Sequence, residues 1–141
     1  QINAVLDNGK AAEKFEKMIY ALGGPNSFLK NYKKELSNNM FVEDIYLRKK
    51  GWIKEIKTRN LGLLLIELGG GRKQVDDKIN YHVGYDNVLG IGDPIDVSTP
   101  VIKVSANSKD AFDKVKNLIA NCFIVSDQEV KKSQSIYEII K

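Results

Sequence analysis

Leu61-Gly62-Leu63-Leu64-Leu65-Ile66-Glu67-Leu68-Gly69-Gly70-Gly71-Arg72-Lys73 is the stretch whose reading decides this chain. Its aliphatic residues predict a short helix, and the glycines end it. One left-handed glycine is enough to stop a helix. Three in succession predict more than a cap: a tight turn or a mobile segment, carrying the two cations Arg72 and Lys73. Asp76-Asp77-Lys78-Ile79 and then Val83-Gly84 complete the stretch.

Working towards the N-terminus, Asp7 or Asn8 is placed to cap a helix in which Ala11, Ala12, Phe15, Met18, Ile19 and Leu22 recur with a 3.6 period. Glu13 and Glu16 lie early in it, and Gly23-Gly24-Pro25 stops it. A second helix fits residues 27–36, with Phe28, Leu29, Tyr32 and Leu36 on one side, and Ser37-Asn38-Asn39 breaks it. Two such helices bury little by themselves, so residues 1–40 read as a helical segment that packs on something else. Residues 41–141 then read as the domain proper. Phe41-Val42, Ile45 and Leu47, then Trp52-Ile53 and Ile56, give short β runs separated by charge and by Gly51. Thr58 is the expected N-cap of the helix from Arg59 to Leu68.

Towards the C-terminus, Val83 and Val88-Leu89 begin more β structure. Gly90-Ile91-Gly92-Asp93-Pro94 predicts a tight turn, with Pro94 withholding a ladder donor. Val101, Ile102 and Val104 form a strand. Asn107 or Ser108 caps an amphipathic helix whose inner face is Ala111, Phe112, Val115, Leu118, Ile119 and Cys122. Phe123-Ile124-Val125 and Ile136-Tyr137-Glu138-Ile139-Ile140 close the chain as strands. Strands mixed with few helices, without strict βαβ alternation or an internal repeat, argue an α+β fold.

The 141 residues, 43% apolar and 28% charged, suit a soluble globular chain with a usable core. No run approaches the ~18 apolar residues of a membrane span, and no cationic-then-apolar signal segment opens the chain. A single cysteine, Cys122, rules out an internal disulfide and suits a reducing cytosol, so a cytoplasmic location is expected. Cys122 itself reads as a small apolar core residue. The net charge of +4 is mild. Arg48, Lys49, Lys50, Lys54, Lys57 and Arg59 cluster against Glu55 alone, but only Trp52 is interleaved with them. Trp52 beside Ile53 reads as core and the cations as a solvated face, so no nucleic-acid partner is expected.

Catalytic groups are scarce. His82, the one histidine, stands beside Tyr81 in a β region and reads as a packed or surface residue. With Cys122 on a helix face, no nucleophile-base-orienter set can be argued. Asp76 and Asp77 are adjacent on a loop and point apart more readily than together. No His/Cys/Asp cluster has metal-ligand spacing, and neither metal nor cofactor is expected. Gly69-Gly70-Gly71-Arg72-Lys73 is the one segment suited to an anion, through a backbone nest and the Arg72 fork. Against that, it follows a helix C-terminus, whose partial charge repels anions, and it lacks a following Gly-Lys-Ser/Thr. Three readings stay open: a structural turn, a mobile lid or interface loop, and a direct phosphate ligand.

The order Leu-Gly-(apolar run)-Glu-Leu-Gly-Gly-Gly-Arg-Lys over residues 61–73, followed by Asp77-Lys78-Ile79-Asn80 and Val83-Gly84, resembles the C-terminal region of the pyrimidine nucleoside phosphorylases. The likeness extends to Val5-Leu6-Asp7-Asn8-Gly9-Lys10-Ala11-Ala12-Glu13-Lys14-Phe15, Gly23-Gly24-Pro25, Gly51-Trp52-Ile53, Gly92-Asp93-Pro94-Ile95 and Pro100-Val101-Ile102, in the family's order. Residues 7–13 and Tyr137 are most similar to the thymidine-cleaving members. The resemblance implies an α/β-hammerhead domain, with a sheet related to the barrel-sandwich of biotin carriers. It implies a parent enzyme in which phosphate attacks C1′ of a pyrimidine nucleoside and the base leaves. It also implies an upstream helical lobe as partner, dimerisation through that lobe, and closure of the two lobes like a clam. The family's phosphate- and base-binding residues lie upstream, so no catalytic or substrate-binding residue carries over to this chain. The resemblance assigns to Gly70, Gly71, Arg72 and Lys73 the role of a loop closing on the cleft.

The opening Gln1-Ile2-Asn3, without methionine, reads as the start of an excised segment, inactive by itself. The alternative is a biotinyl- or lipoyl-carrier-like or other interaction module. Residues 90–102 resemble the carrier turn, but the exposed lysine beside methionine is missing, since Met18 and Met40 lie elsewhere.

Overall fold

The computed structural model describes residues 1–36 and 40–132 and divides the chain into two compact units, Gln1–Asn39 and Met40–Lys141. In the first unit, α1 (Ile2–Asp7), α2 (Lys10–Ala21) and α3 (Phe28–Glu35) follow one another. α1 is one helix more than the sequence predicts. It has six residues and neither a side-chain cap nor an acidic first turn, so it carries none of the usual start signals. Neither Asp7 nor Asn8 is the cap of α2, which is Gly9; Asn8, one position earlier, accepts the Lys10 N–H on its Oδ1 at 3.0 Å in a local turn. Gly9 supplies the left-handed turn at φ 78. α3 begins after Ser27, whose side chain makes no cap hydrogen bond. Instead Glu16, reaching from α2, accepts the Leu29 N–H at 3.1 Å, and Phe15 meets Phe28 edge-on with ring centroids 6.5 Å apart. No residue of these three helices is buried.

The second unit holds the core. Its elements are β1 (Phe41–Tyr46), β2 (Gly51–Ile56), α4 (Thr58–Glu67), β3 (Gly84–Asp86), β4 (Pro94–Ile95), β5 (Pro100–Ala106), α5 (Lys109–Ala120) and β6 (Phe123–Ser126). They form an α+β domain with two three-stranded antiparallel sheets, ordered β1-β5-β3 and β4-β2-β6. The centre of the first sheet, β5, is its most apolar strand, as a strand paired on two edges should be, whereas the centre of the second, β2, carries exposed Lys54 and Glu55. The proline rule holds at both positions: Pro94 lies on the edge strand β4 and Pro100 is the first residue of β5. Irregularities after Ile45 and Ile53 break the simple alternation of β1 and β2.

Ile53, Val101, Ile102, Val104, Ala106 and Ile119 have no exposed surface, and Phe112, Val115, Cys122 and Phe123 close around them. Burying an aliphatic side chain completely contributes about 1.5–3 kcal/mol. Phe41 and Phe112 stack β1 on α5 with centroids 5.4 Å apart.

Three local expectations are corrected. Thr58 is the first residue of α4, not its cap, and its hydroxyl donates to the Ile56 carbonyl at 3.2 Å. Leu118, expected on the inner face of α5, is 53% exposed because the helix settles on Phe112, Val115 and Ile119. Trp52 is half-buried while its neighbour Ile53 is sealed. The helix cap expected at Asn107 or Ser108 is made by Ser108, whose Oγ accepts the Ala111 N–H at 3.2 Å. The strand expected over 136–140 lies outside the described residues.

Candidate functional site

The loop between α4 and β3 is built from the helix end outward. With Leu68 as C-cap, the Gly69 N–H returns to the Ile66 carbonyl and the Gly70 N–H to the Leu65 carbonyl, both at 2.9 Å. This pair of bonds is the Schellman closure. Gly69 alone of the three glycines takes a positive φ, +96. Gly70 and Gly71 are needed for space. A Cβ on Gly70 would stand 2.9 Å from Leu65 Cγ, and one on Gly71 would stand 2.7 Å from Ile66 Cγ1. The three glycines thus divide into one for conformation and two for close approach. Two of their N–H groups are already donated to helix carbonyls, which removes them from any anion nest.

Beyond the glycines, Asp77 organises the tip. Its Oδ2 accepts the backbone N–H groups of both Lys73 and Gln74 at 2.9 Å. Those two bonds, Gln74 first, hold the Asp77 carboxyl below the usual aspartate value. Asp76 is exposed and takes no part in this turn. The adjacent carboxylates therefore do different things, as expected for neighbours on a loop. Lys73 Nζ reaches back to Glu67 Oε2 at 2.6 Å across an exposed pair. Arg72 and Lys78 are exposed and make no ion pair within 4 Å among the described residues, and the Arg72 charge helps lower the Asp77 carboxyl.

The far end of the loop is set by Asn80, which the sequence offered as part of the Asp77–Asn80 likeness but without a role of its own. Its backbone N–H donates to the Gly69 carbonyl at 2.9 Å, and its Oδ1 accepts the His82 N–H at 2.9 Å. Its Nδ2 donates to Asn107 Oδ1, at the junction of β5 and α5. Buried Val83 then begins the return to the sheet. His82 itself is exposed. Below, the Tyr85 hydroxyl donates to the Leu61 carbonyl at 3.2 Å, and burial pushes the phenol well above its usual value. The sequence signs of Asn80 are its place in the family-like Asp77–Asn80 run and the Asn-x-His pattern that follows an acidic loop; neither names its partner.

Elsewhere, Cys122 is buried beneath a groove of about 390 Å³ lined by Leu63, Leu64, Leu118, Lys57, Asn60 and Asn121. Burial raises its thiol pKa, so little thiolate is present near neutrality and the group is unsuited to nucleophilic work. The Gly90–Asp93 turn is tied to β2 through Gly92 N–H to the Ile53 carbonyl at 2.8 Å. Asp93 Oδ2 accepts the Gly90 N–H, and its Oδ1 pairs with Lys132 at 2.5 Å. Among the described residues no group of histidine, cysteine and carboxylate side chains could hold a metal ion. No described helix is long and apolar enough to cross a membrane.

The family model for the pyrimidine nucleoside phosphorylase C-terminal domain matches residues 52–126, just over half of the chain. The chain belongs to that family. The matched span runs from β2 to the end of β6 and takes in the whole of the Gly69–Gly84 loop. In this phosphorylase C-terminal domain the loop's hydrogen bonds are therefore part of the domain itself. Nothing about the family match depends on the first unit, which lies outside it.

Proposed function

We propose that this chain is the C-terminal part of a thymidine phosphorylase, which cleaves thymidine with phosphate to thymine and 2-deoxyribose 1-phosphate. The family match over 52–126 carries the reading. Its finer step, thymidine over other nucleosides, rests on the likeness of residues 7–13. In such a reaction positive charge develops at the sugar, so rate depends on placing the phosphate and holding the departing base. The groups that do this belong to an upstream lobe, as partner of this domain in a parent enzyme that works as a homodimer. The present chain supplies the rigid wall and a loop that approaches the cleft on closure. Phosphate and a pyrimidine nucleoside are the parent's ligands, in the cytoplasm.

Within the loop, Gly70 and Gly71 fix the close turn and Lys73 is neutralised by Glu67. Arg72, exposed beside the glycines, is the residue we assign to holding the closed form. Two experiments test this. Phosphorolysis of thymidine by the isolated chain is expected to be absent and to return when the upstream lobe is supplied; turnover by the chain alone overturns the assignment. In the full enzyme, Arg72→Ala should lower kcat/KM by about two- to fivefold, the worth of an exposed ion pair. Unchanged kcat and KM would remove Arg72 from the role.

A further inference from the structure

Asn107 stands between the two ends of the loop. A Cβ on Gly69 would lie 3.6 Å from Asn107 Nδ2, ordinary van der Waals contact, so the amide rests against the loop's first residue. Its Oδ1 accepts from Asn80 Nδ2 at the loop's last turn. Asn80 in turn bonds Gly69 O through its own N–H. Both ends of the tip therefore meet at one asparagine carried by the β5–α5 junction. Outside them, buried Leu68 and Val83 hold the chain in place on either side.

Two features distinguish the side-chain bond from the rest of this cluster. It is the one that ties the loop to a different part of the domain, since Asn80 and Asn107 are 27 residues apart. It is also at the surface: Asn107 is exposed and Asn80 half-buried, so water competes for both amides. A neutral hydrogen bond in such a place shifts an equilibrium by only about two- to tenfold. When it opens, Asn80 N–H to Gly69 O still closes the loop's base, so the tip would swing without unravelling.

We propose that Asn80 and Asn107 form a releasable clip that sets the resting position of the Arg72-bearing tip. Asn80 is thus a positioning residue that acts through the tip. This rests on the reading of the loop as the element that approaches the cleft. The clip holds the tip against β5 and α5 in the free enzyme and limits how many positions it samples before closure.

The variants are chosen at Asn107, which lies outside the loop at the β5–α5 junction and is bonded to it through Asn80. Asn107→Ala and the shorter Asn107→Ser remove the acceptor; Asn107→Asp keeps an oxygen for Asn80 Nδ2 and should behave as the native residue. In this chain, hydrogen exchange of residues 70–79 should rise about two- to tenfold in Asn107→Ala. Melting temperature should move little, and Asn107→Asp should restore protection. In the full enzyme kcat/KM should fall by a similar factor, carried by KM, and the effect should vanish in an Arg72→Ala background. Unchanged exchange in Asn107→Ala and Asn107→Ser overturns the clip. Raised exchange with unaltered kinetics keeps the clip and overturns the cleft-approaching role on which its function rests.

Discussion

Gly69 and Gly92 both adopt positive φ, +96 and +84, yet their surroundings differ. A Cβ on Gly69 would meet only Asn107 Nδ2 at ordinary distance, whereas one on Gly92 would stand 2.8 Å from the backbone atoms Lys132 N and Val130 O. Gly69→Ala should therefore cost about 1–2 kcal/mol, the penalty of a left-handed L-residue. Gly92→Ala should cost clearly more, because two backbone segments must also separate. Urea unfolding followed through Trp52 reads both, and equal losses would contradict the distinction. The carboxylates act at the same scale. The hydroxyls of Thr99 and then Ser98 hold Asp96 down to about 2, against an ordinary 3.8. Hydrogen bonds from Lys132 and then Gly90 lower Asp93 as well. A depressed folded pKa stabilises above the unfolded value and is lost as pH falls through the folded one. Stability should therefore fall as pH drops from about 3.8 to about 2, less steeply in Asp96→Asn. An unchanged acid limb in that variant would show that the turn is not linked to folding.

Among the elements, α5 is the one whose start and packing are both explicit. Ser108 Oγ closes its first turn, and Lys109 and Lys116 flank Asp113 at 2.6 and 2.7 Å. Ser108→Ala should cost about 1 kcal/mol and Ser108→Asp should recover most of it. Losing either lysine should change little, because exposed pairs are worth less than about 1 kcal/mol. Ile119→Ala on the buried face should cost about 2–5 kcal/mol. Helix α4 shows what pattern alone misses. Its aliphatic run announced a helix and its glycines announced the end. Which leucines face inward was not legible, since Leu61 and Leu68 are buried while Leu63 is half exposed. The same ambiguity placed Leu118 on the wrong side of α5. An apolar residue one position off the buried stripe obeys a 3.6 period nearly as well as one on it.

For the whole molecule, the two units differ in how much they bury. The helices of the first have no buried residue, whereas the second carries a continuous core around β5 and β2. Amide exchange should reflect this: α1, α2 and α3 should exchange well ahead of β5, whose protection should approach that of global unfolding. Comparable protection in both units would contradict it. The α+β class, the longer helices, the turn that begins at Gly90 and the family were legible from residue order, because glycine, proline and hydrophobic period act locally, whereas the short α1 and β4 were not. The local chain also specified that α4 must end at the glycine run, since glycine takes a left-handed φ cheaply. Tertiary structure alone decided that the strands divide into two sheets, that Gly70 and Gly71 are present for space, and that Asn80 meets Asn107. Each of these depends on atoms brought together from distant positions, and a period along the chain carries no record of which distant segment will close against it.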